Sequence, residues 1–230
     1  MPLAPTEGRQ SGARKDGHEH NLDHTQLGRQ DGRQHYLEET WRQISHFGKK
    51  AVASGLTSSR FGNISLAFRG SIFITCTGSM LDELEESQVV EVDLAGSCPL
   101  DRIASSETCV HRTIYARTAH KAVIHTHSPY AVALSLLESE EIVPLDSEGL
   151  LFLGSVPIVQ GSLGSEALAE SASSALQGHQ ACIARGHGVF AAGKSLTEAY
   201  TAACMTEHSS QVRYLVKTYQ QGQHSSNRSL

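Results

Sequence analysis

Strand-length apolar runs alternate with helical patterns along the middle of this chain, and that interleaving restricts the fold more than any other property. NISLAF, SIFITCT, QVVEVDL, KAVIHTH, SVPIVQ, ACIAR and GVFAA are short, apolar and bounded by turn residues, as strands are. Between them, Leu37, Trp41, Ile44, Phe47 and Ala51 recur at helical spacing, and Gly55 follows as a C-cap, which predicts a helix over about 36–54. SSETCVHRTIYART predicts a second helix, with Ser105 or Ser106 as the cap. PYAVALSLLES predicts a third with Pro129 near its start, and two more are expected over about 164–177 and 195–219. The order follows no strict βαβ rhythm, so the expectation is a layered α/β domain around a mixed sheet.

At 230 residues, 39% of them hydrophobic, the chain can fill one core but not two comfortable ones. The expected domain covers 35–220. Residues 1–34 hold few large apolar side chains and are read as a disordered polar tail, and 221–230 as a flexible C-terminal tail. The first tail contains HEHNLDH, read as an adventitious solvated cluster. Net charge is −5, which gives no global positive field for nucleic acid or an anionic membrane. No apolar run approaches the roughly 18 residues of a membrane span and no signal peptide is evident, so a cytoplasmic protein is expected. Five scattered cysteines without CxxC spacing read as reduced thiols.

His125 and His127 end the KAVIHTH run. Residues i and i+2 of a strand share a face, so both imidazoles address one point while Thr126 faces away. Alone, such a pair suits a hydrogen-bonded surface pair as well as a metal. ARGHGVF supplies a third imidazole, His187, held at a bend by Gly186 and Gly188. Three histidines at strand ends make a set that a catalytic zinc uses while keeping one position open.

Glu107 opens a helix beside Ser105 and Ser106, where a carboxylate is either a capping group or a proton carrier, and the serines begin an anion pocket. Two further loops, SSRFGNIS with Gly62 and Asn63 and TCTGS with Thr77, Gly78 and Ser79, carry the same kind of uncharged donors. Turn chemistry explains each loop singly. Converging beside a cation, they suit a phosphomonoester.

The ordered series GNIS, TCTGS, SSE, HTH and RGHG resembles the class II aldolase/adducin family, and within it the zinc-dependent aldolases of the fuculose 1-phosphate type, over about residues 36–219. The resemblance implies a three-layer α/β/α sandwich with a largely antiparallel mixed sheet, and a homotetramer with active sites between subunits. It implies His125, His127 and His187 as ligands of one Zn2+ per subunit, with manganese, cobalt or iron as alternatives. Glu107 would be the acid/base residue, touching the resting metal as well, and Asn63, Thr77, Gly78, Ser105 and Ser106 would bind the substrate phosphate. The implied reaction is reversible cleavage of a deoxyketose 1-phosphate, such as fuculose 1-phosphate, to dihydroxyacetone phosphate and a short aldehyde such as lactaldehyde.

One departure concerns the aldehyde end. The fuculose enzymes carry a tyrosine after the HxH helix, whereas this chain has no tyrosine between Tyr130 and Tyr200. VPLDSEGLLFLG stands there, with Asp146, Ser147 and Glu148 as candidate specificity residues or a surface turn. Tyr214 and Tyr219 are candidates to close a neighbouring site or to pack. The alternatives are a methylthioribulose 1-phosphate dehydratase, a sugar-phosphate 4-epimerase, disfavoured by SSE in place of SSD, and a non-catalytic adducin-like module, disfavoured by the intact histidines and Glu107.

Overall fold

A computed structural model describes the backbone of residues 24–226 and the side chains of residues 36–223. Eight strands form one sheet: β1 (Asn63–Phe68), β2 (Ser71–Thr75), β3 (Val89–Asp93), β4 (Ala122–Thr126), β5 (Glu141–Ile142), β6 (Val156–Val159), β7 (Ala181–Ala184) and β8 (Gly188–Gly193). Their spatial order is β3-β2-β1-β4-β8-β7-β6-β5. The β6–β7 pair is parallel and every other pair antiparallel. The helices are α1 (His24–Ala53), α2 (Thr108–Arg117), α3 (Pro129–Ser135), α4 (Ser147–Phe152), α5 (Glu166–Ala175) and α6 (Leu196–Ser226).

Period-two alternation divides the core into two layers. On β8, Phe190 and Ala192 join Ile114 of α2 and Leu168 of α5 on one face of the sheet. Val189 and Ala191 join Ala51 of α1, Leu134 of α3 and Ala202 of α6 on the other. Every residue of β4 and β8 is buried, because helices cover the sheet centre on both sides. The result is the expected three-layer α/β/α arrangement with a mixed, mostly antiparallel sheet.

The differences lie at the edges. α1 begins at His24, so residues 24–34, expected in the polar tail, are helical. A helix end needs no apolar face to continue one already anchored by Ile44 and Ala51, both fully buried. Residues 1–23 lie outside the described residues, as do all the side chains of HEHNLDH. At the other end α6 continues through Ser226, where Gln223 donates to the Tyr219 hydroxyl one turn back (3.2 Å), extending the helix into the expected flexible tail; residues 227–230 are not described. The short strand β5 and the short helix α4 were not expected. Asp146 caps α4 by accepting from Gly149 N–H at 2.8 Å. Helix α2 starts one residue after Glu107, which occupies the N-cap position in place of either serine. All five cysteines are free thiols.

Candidate metal and acid/base site

The central strand β4 carries the first imidazole. His125 pairs in register with Phe190 of β8 and lies flat on its ring at 4.2 Å between centroids. Its Nδ1–H donates to the carbonyl of Val189 at 3.0 Å, which fixes the tautomer and leaves the Nε2 lone pair pointing at the site. His127 follows at the end of the strand and His187 stands on the turn between β7 and β8. The three ring centroids lie 4.8 to 5.0 Å apart, a nearly equilateral triangle, and one nitrogen from each ring falls within 4.8 Å of the others.

Two glycines permit that approach. Gly62 has φ +90°, and a Cβ there would lie 2.4 Å from the His125 carbonyl oxygen, so the loop before β1 crosses directly over β4. At Gly188 a Cβ would lie 2.7 Å from His125 Cε1, in collision with the imidazole. The bend around His187 therefore needs a residue without a side chain.

Glu107 is brought to the triangle by the start of α2. Its Oε2 lies 3.1 Å from His125 Nε2 and accepts from Asn63 Nδ2 at 2.9 Å. Its Oε1 lies 3.9 Å from His187 Nε2, and both of those atoms are buried without a hydrogen-bond partner. Burial raises the Glu107 carboxyl from 4.5 to about 7, with the Asn63 hydrogen bond acting against it. Burial, followed by the neighbouring imidazoles, holds His125 well below the ordinary histidine range, and burial followed by His187 takes His127 down to about 4. His187 is lowered by burial as well. At neutral pH the site therefore offers three uncharged imidazoles and a carboxyl group near its titration midpoint.

That donor set fits a divalent cation. Two orphaned buried atoms, His187 Nε2 and Glu107 Oε1, face the space between the rings, and uncharged imidazole nitrogens are what zinc and its neighbours in the transition series take. The same atoms open on a cavity of about 460 Å³. All five residues expected at the phosphate, Asn63, Thr77, Gly78, Ser105 and Ser106, line it.

Several of their donors are already engaged. Thr77 donates its hydroxyl to Ala104 O at 2.8 Å and its N–H to Ile103 O at 3.0 Å, Ser105 N–H goes to Thr75 O at 3.0 Å, and the Asn63 amide serves Glu107. Ser105 Oγ accepts from Glu107 N–H at 3.3 Å, which leaves its own proton free to point outward. Ser79 of the TCTGS loop lines the wall too, its buried hydroxyl without a partner, and the structure adds Arg60 and Phe61, which stacks on His127 at 5.4 Å and 23°. The signal for Arg60 was its place beside the Gly62–Asn63 turn, a cation among otherwise neutral donors.

Asp146, Ser147 and Glu148 are not brought to this cavity. Asp146 accepts from the Ser209 hydroxyl of α6 at 3.1 Å besides capping α4, and Ser147 donates to Glu148 at 2.8 Å. Tyr214 packs edge-on against Tyr130 at 5.5 Å, while Tyr219 is exposed.

The sequence profile described as the Class II Aldolase and Adducin N-terminal domain matches residues 42–214. The L-fuculose phosphate aldolase of Methanococcus maripaludis strain C5 is 32% identical over 170 residues, covering 73% of this chain and 88% of that protein. The 5-deoxy-D-ribulose 1-phosphate aldolase of Bacillus thuringiensis serovar kurstaki is 31% identical over 190 residues, covering 79% and 87%. The crystal structure of L-fuculose-1-phosphate aldolase from Thermus thermophilus superposes with a TM-score of 0.74 at 35% identity, covering 79% of this chain and 95% of that one. A three-imidazole triangle with a buried carboxylate, on a sheet of this order, thus coincides with sequence likeness across nearly the whole described core, and the chain belongs to the class II aldolase and adducin family, as a member of the fuculose 1-phosphate aldolase type.

Proposed function

We propose that this chain is a metal-dependent aldolase that reversibly cleaves a deoxyketose 1-phosphate, such as fuculose 1-phosphate, to dihydroxyacetone phosphate and a short aldehyde such as lactaldehyde. The observation that carries the reading is Glu107: a buried carboxyl with a pKa of about 7, set against three uncharged imidazoles at the floor of a cavity whose opposite wall is built of hydroxyl and backbone donors.

His125, His127 and His187 would hold one Zn2+ per subunit, and another divalent cation suits the same nitrogens. Bound there, the cation supplies electrostatic stabilisation of the negative charge that develops on the substrate when the carbon–carbon bond breaks. Glu107 is the group that moves the proton. Asn63 holds Oε2, so Oε1 is the atom left to carry a proton to and from the reacting carbon. Phe61, lying over His127, shields one side of the site from water. Gly78, Ser105 and Ser106 line the cavity and would receive the phosphate.

Association into a homotetramer with sites between subunits is part of the same reading. It is supported by the bare apolar face of α4, where Leu151 is 75% and Phe152 61% exposed. No helix among the described residues is long and apolar enough to cross a membrane, in keeping with action in the cytoplasm on a small phosphorylated sugar.

Incubating metal-replete protein with fuculose 1-phosphate and, separately, with methylthioribulose 1-phosphate, with products identified by mass spectrometry, tests the reading. Dihydroxyacetone phosphate plus an aldehyde is the expected result. Loss of water from the second substrate without cleavage of the first would assign a dehydratase, and full turnover in metal-free protein would end both.

A further inference from the structure

The cavity wall poses a charge problem. A phosphomonoester arrives with nearly two negative charges, close to the buried side chain of Glu107. Of the neutral donors expected to receive it, the Thr77 hydroxyl and N–H, the Ser105 N–H and one N–H of the Asn63 amide are already engaged within the protein. What remains is short: the second N–H of Asn63, the hydroxyls of Ser105 and Ser106, the Gly78 backbone, and the Ser79 hydroxyl, which is 6% exposed and has no partner. An unpartnered buried hydroxyl in a cavity wall is itself a sign of a missing acceptor.

Among the described residues Arg60 is the sole lysine or arginine lining this cavity. It makes no hydrogen bond or ion pair with another described side chain, and it is exposed at the mouth. Its Nη2 lies 4.0 Å from where a Cβ on Gly78 would sit, so the guanidinium stands beside the Thr77–Gly78 turn, on a side where the glycine carries no side chain. Phe61, the next residue, is fixed on His127, which anchors the loop that carries Arg60 to the site.

The geometry points to Arg60 as a specificity-determining residue that supplies the positive charge of the phosphate subsite, gripping the phosphate of the substrate together with Ser79 and the Gly78 backbone. A planar fork of N–H donors suits phosphate oxygens, and no acidic side chain among the described residues pairs with it. This inference rests on the phosphorylated-substrate reading above, but it makes a claim about anion binding that does not depend on which bond is cleaved.

The test is calorimetric titration of inorganic phosphate into metal-replete wild-type, Arg60→Gln and Arg60→Lys protein at low and high salt, with metal content and thermal unfolding measured in parallel. Arg60→Gln should weaken phosphate binding about ten- to hundredfold with metal content and unfolding unchanged, and Arg60→Lys should fall between. Added salt should weaken the wild type more than Arg60→Gln. With a ketose 1-phosphate substrate, Arg60→Gln should raise KM by a similar factor and leave kcat within a few-fold. Phosphate affinity in Arg60→Gln within twofold of wild type, or no phosphate binding by the wild type, would overturn the assignment. Weakened phosphate binding in Arg60→Gln, with no carbon–carbon cleavage by the wild type, would sustain the role of Arg60 while removing the aldolase reading.

Discussion

Glu107→Gln separates catalysis from stability in this fold. The carboxyl rises from 4.5 to about 7 on folding, chiefly through burial, so the folded protein binds that proton more tightly than the unfolded chain does. The favourable contribution is therefore fully present below about pH 4.5, declines as pH rises, and is lost above about 7. At about 1.4 kcal/mol for each tenfold change in the proton equilibrium, the loss by pH 8 is about 3 kcal/mol. Glutamine keeps the shape, can still accept the Asn63 hydrogen bond, and never ionises. Metal-free Glu107→Gln should then be more stable than metal-free wild type by about 3 kcal/mol at pH 8, or about 6 to 12 °C in Tm for a chain of this size, while the two converge near pH 5. Chemical denaturation across that pH range measures the difference. The same substitution should abolish turnover at every pH. A difference independent of pH, or Glu107→Gln less stable than wild type at pH 8, would refute the argument that burial of this carboxyl is costly.

Three further outcomes follow from named contacts. Gly62→Ala places a Cβ 2.4 Å from the His125 carbonyl oxygen at φ +90°; it should cost about 2 kcal/mol or more in urea unfolding and lower the bound metal. Tyr115→Phe removes a hydroxyl that donates to Ser65 O at 3.0 Å and contacts Ser65 Oγ at 2.6 Å, where Ser65 also meets His111 Nδ1 at 2.7 Å. It should cost about 1 to 3 kcal/mol without moving the pH profile of turnover. His187→Ala should leave the sheet intact, because the ring stands on a turn, and weaken metal binding by about 100-fold or more, read by competition with a chelator of known affinity.

The site was legible in the sequence where local periodicity determines it. His125 and His127 share a face because strands have a period of two, and the glycines around His187 declare a bend, so the triangle could be anticipated before any tertiary placement was known. Glu107 was legible as a group at the start of α2, although its N-cap position and its hydrogen bond from Asn63 were not. Side chains choose partners across elements: Asn63 and Glu107 are 44 residues apart, and the separation hides the choice of the amide for the carboxylate over a ligand. The short helix α4 was obscured because its apolar residues Leu150, Leu151 and Phe152 are exposed, so the pattern signals no buried face. Helix α1 runs back to His24 through residues that give no apolar periodicity, where helix continuation needs only an anchored end.

The register of β4 against β8 also sets a schedule. His125 pairs with Phe190, more than sixty residues later in the chain, and His187 stands immediately before the strand that makes this pair. During synthesis the nascent chain carries two histidines of the triangle long before the third has emerged, and closing so long a loop comes late among folding events. A complete three-nitrogen triangle therefore appears only once β8 has been made and paired with β4, so the arrangement of the three rings reports closure of the sheet.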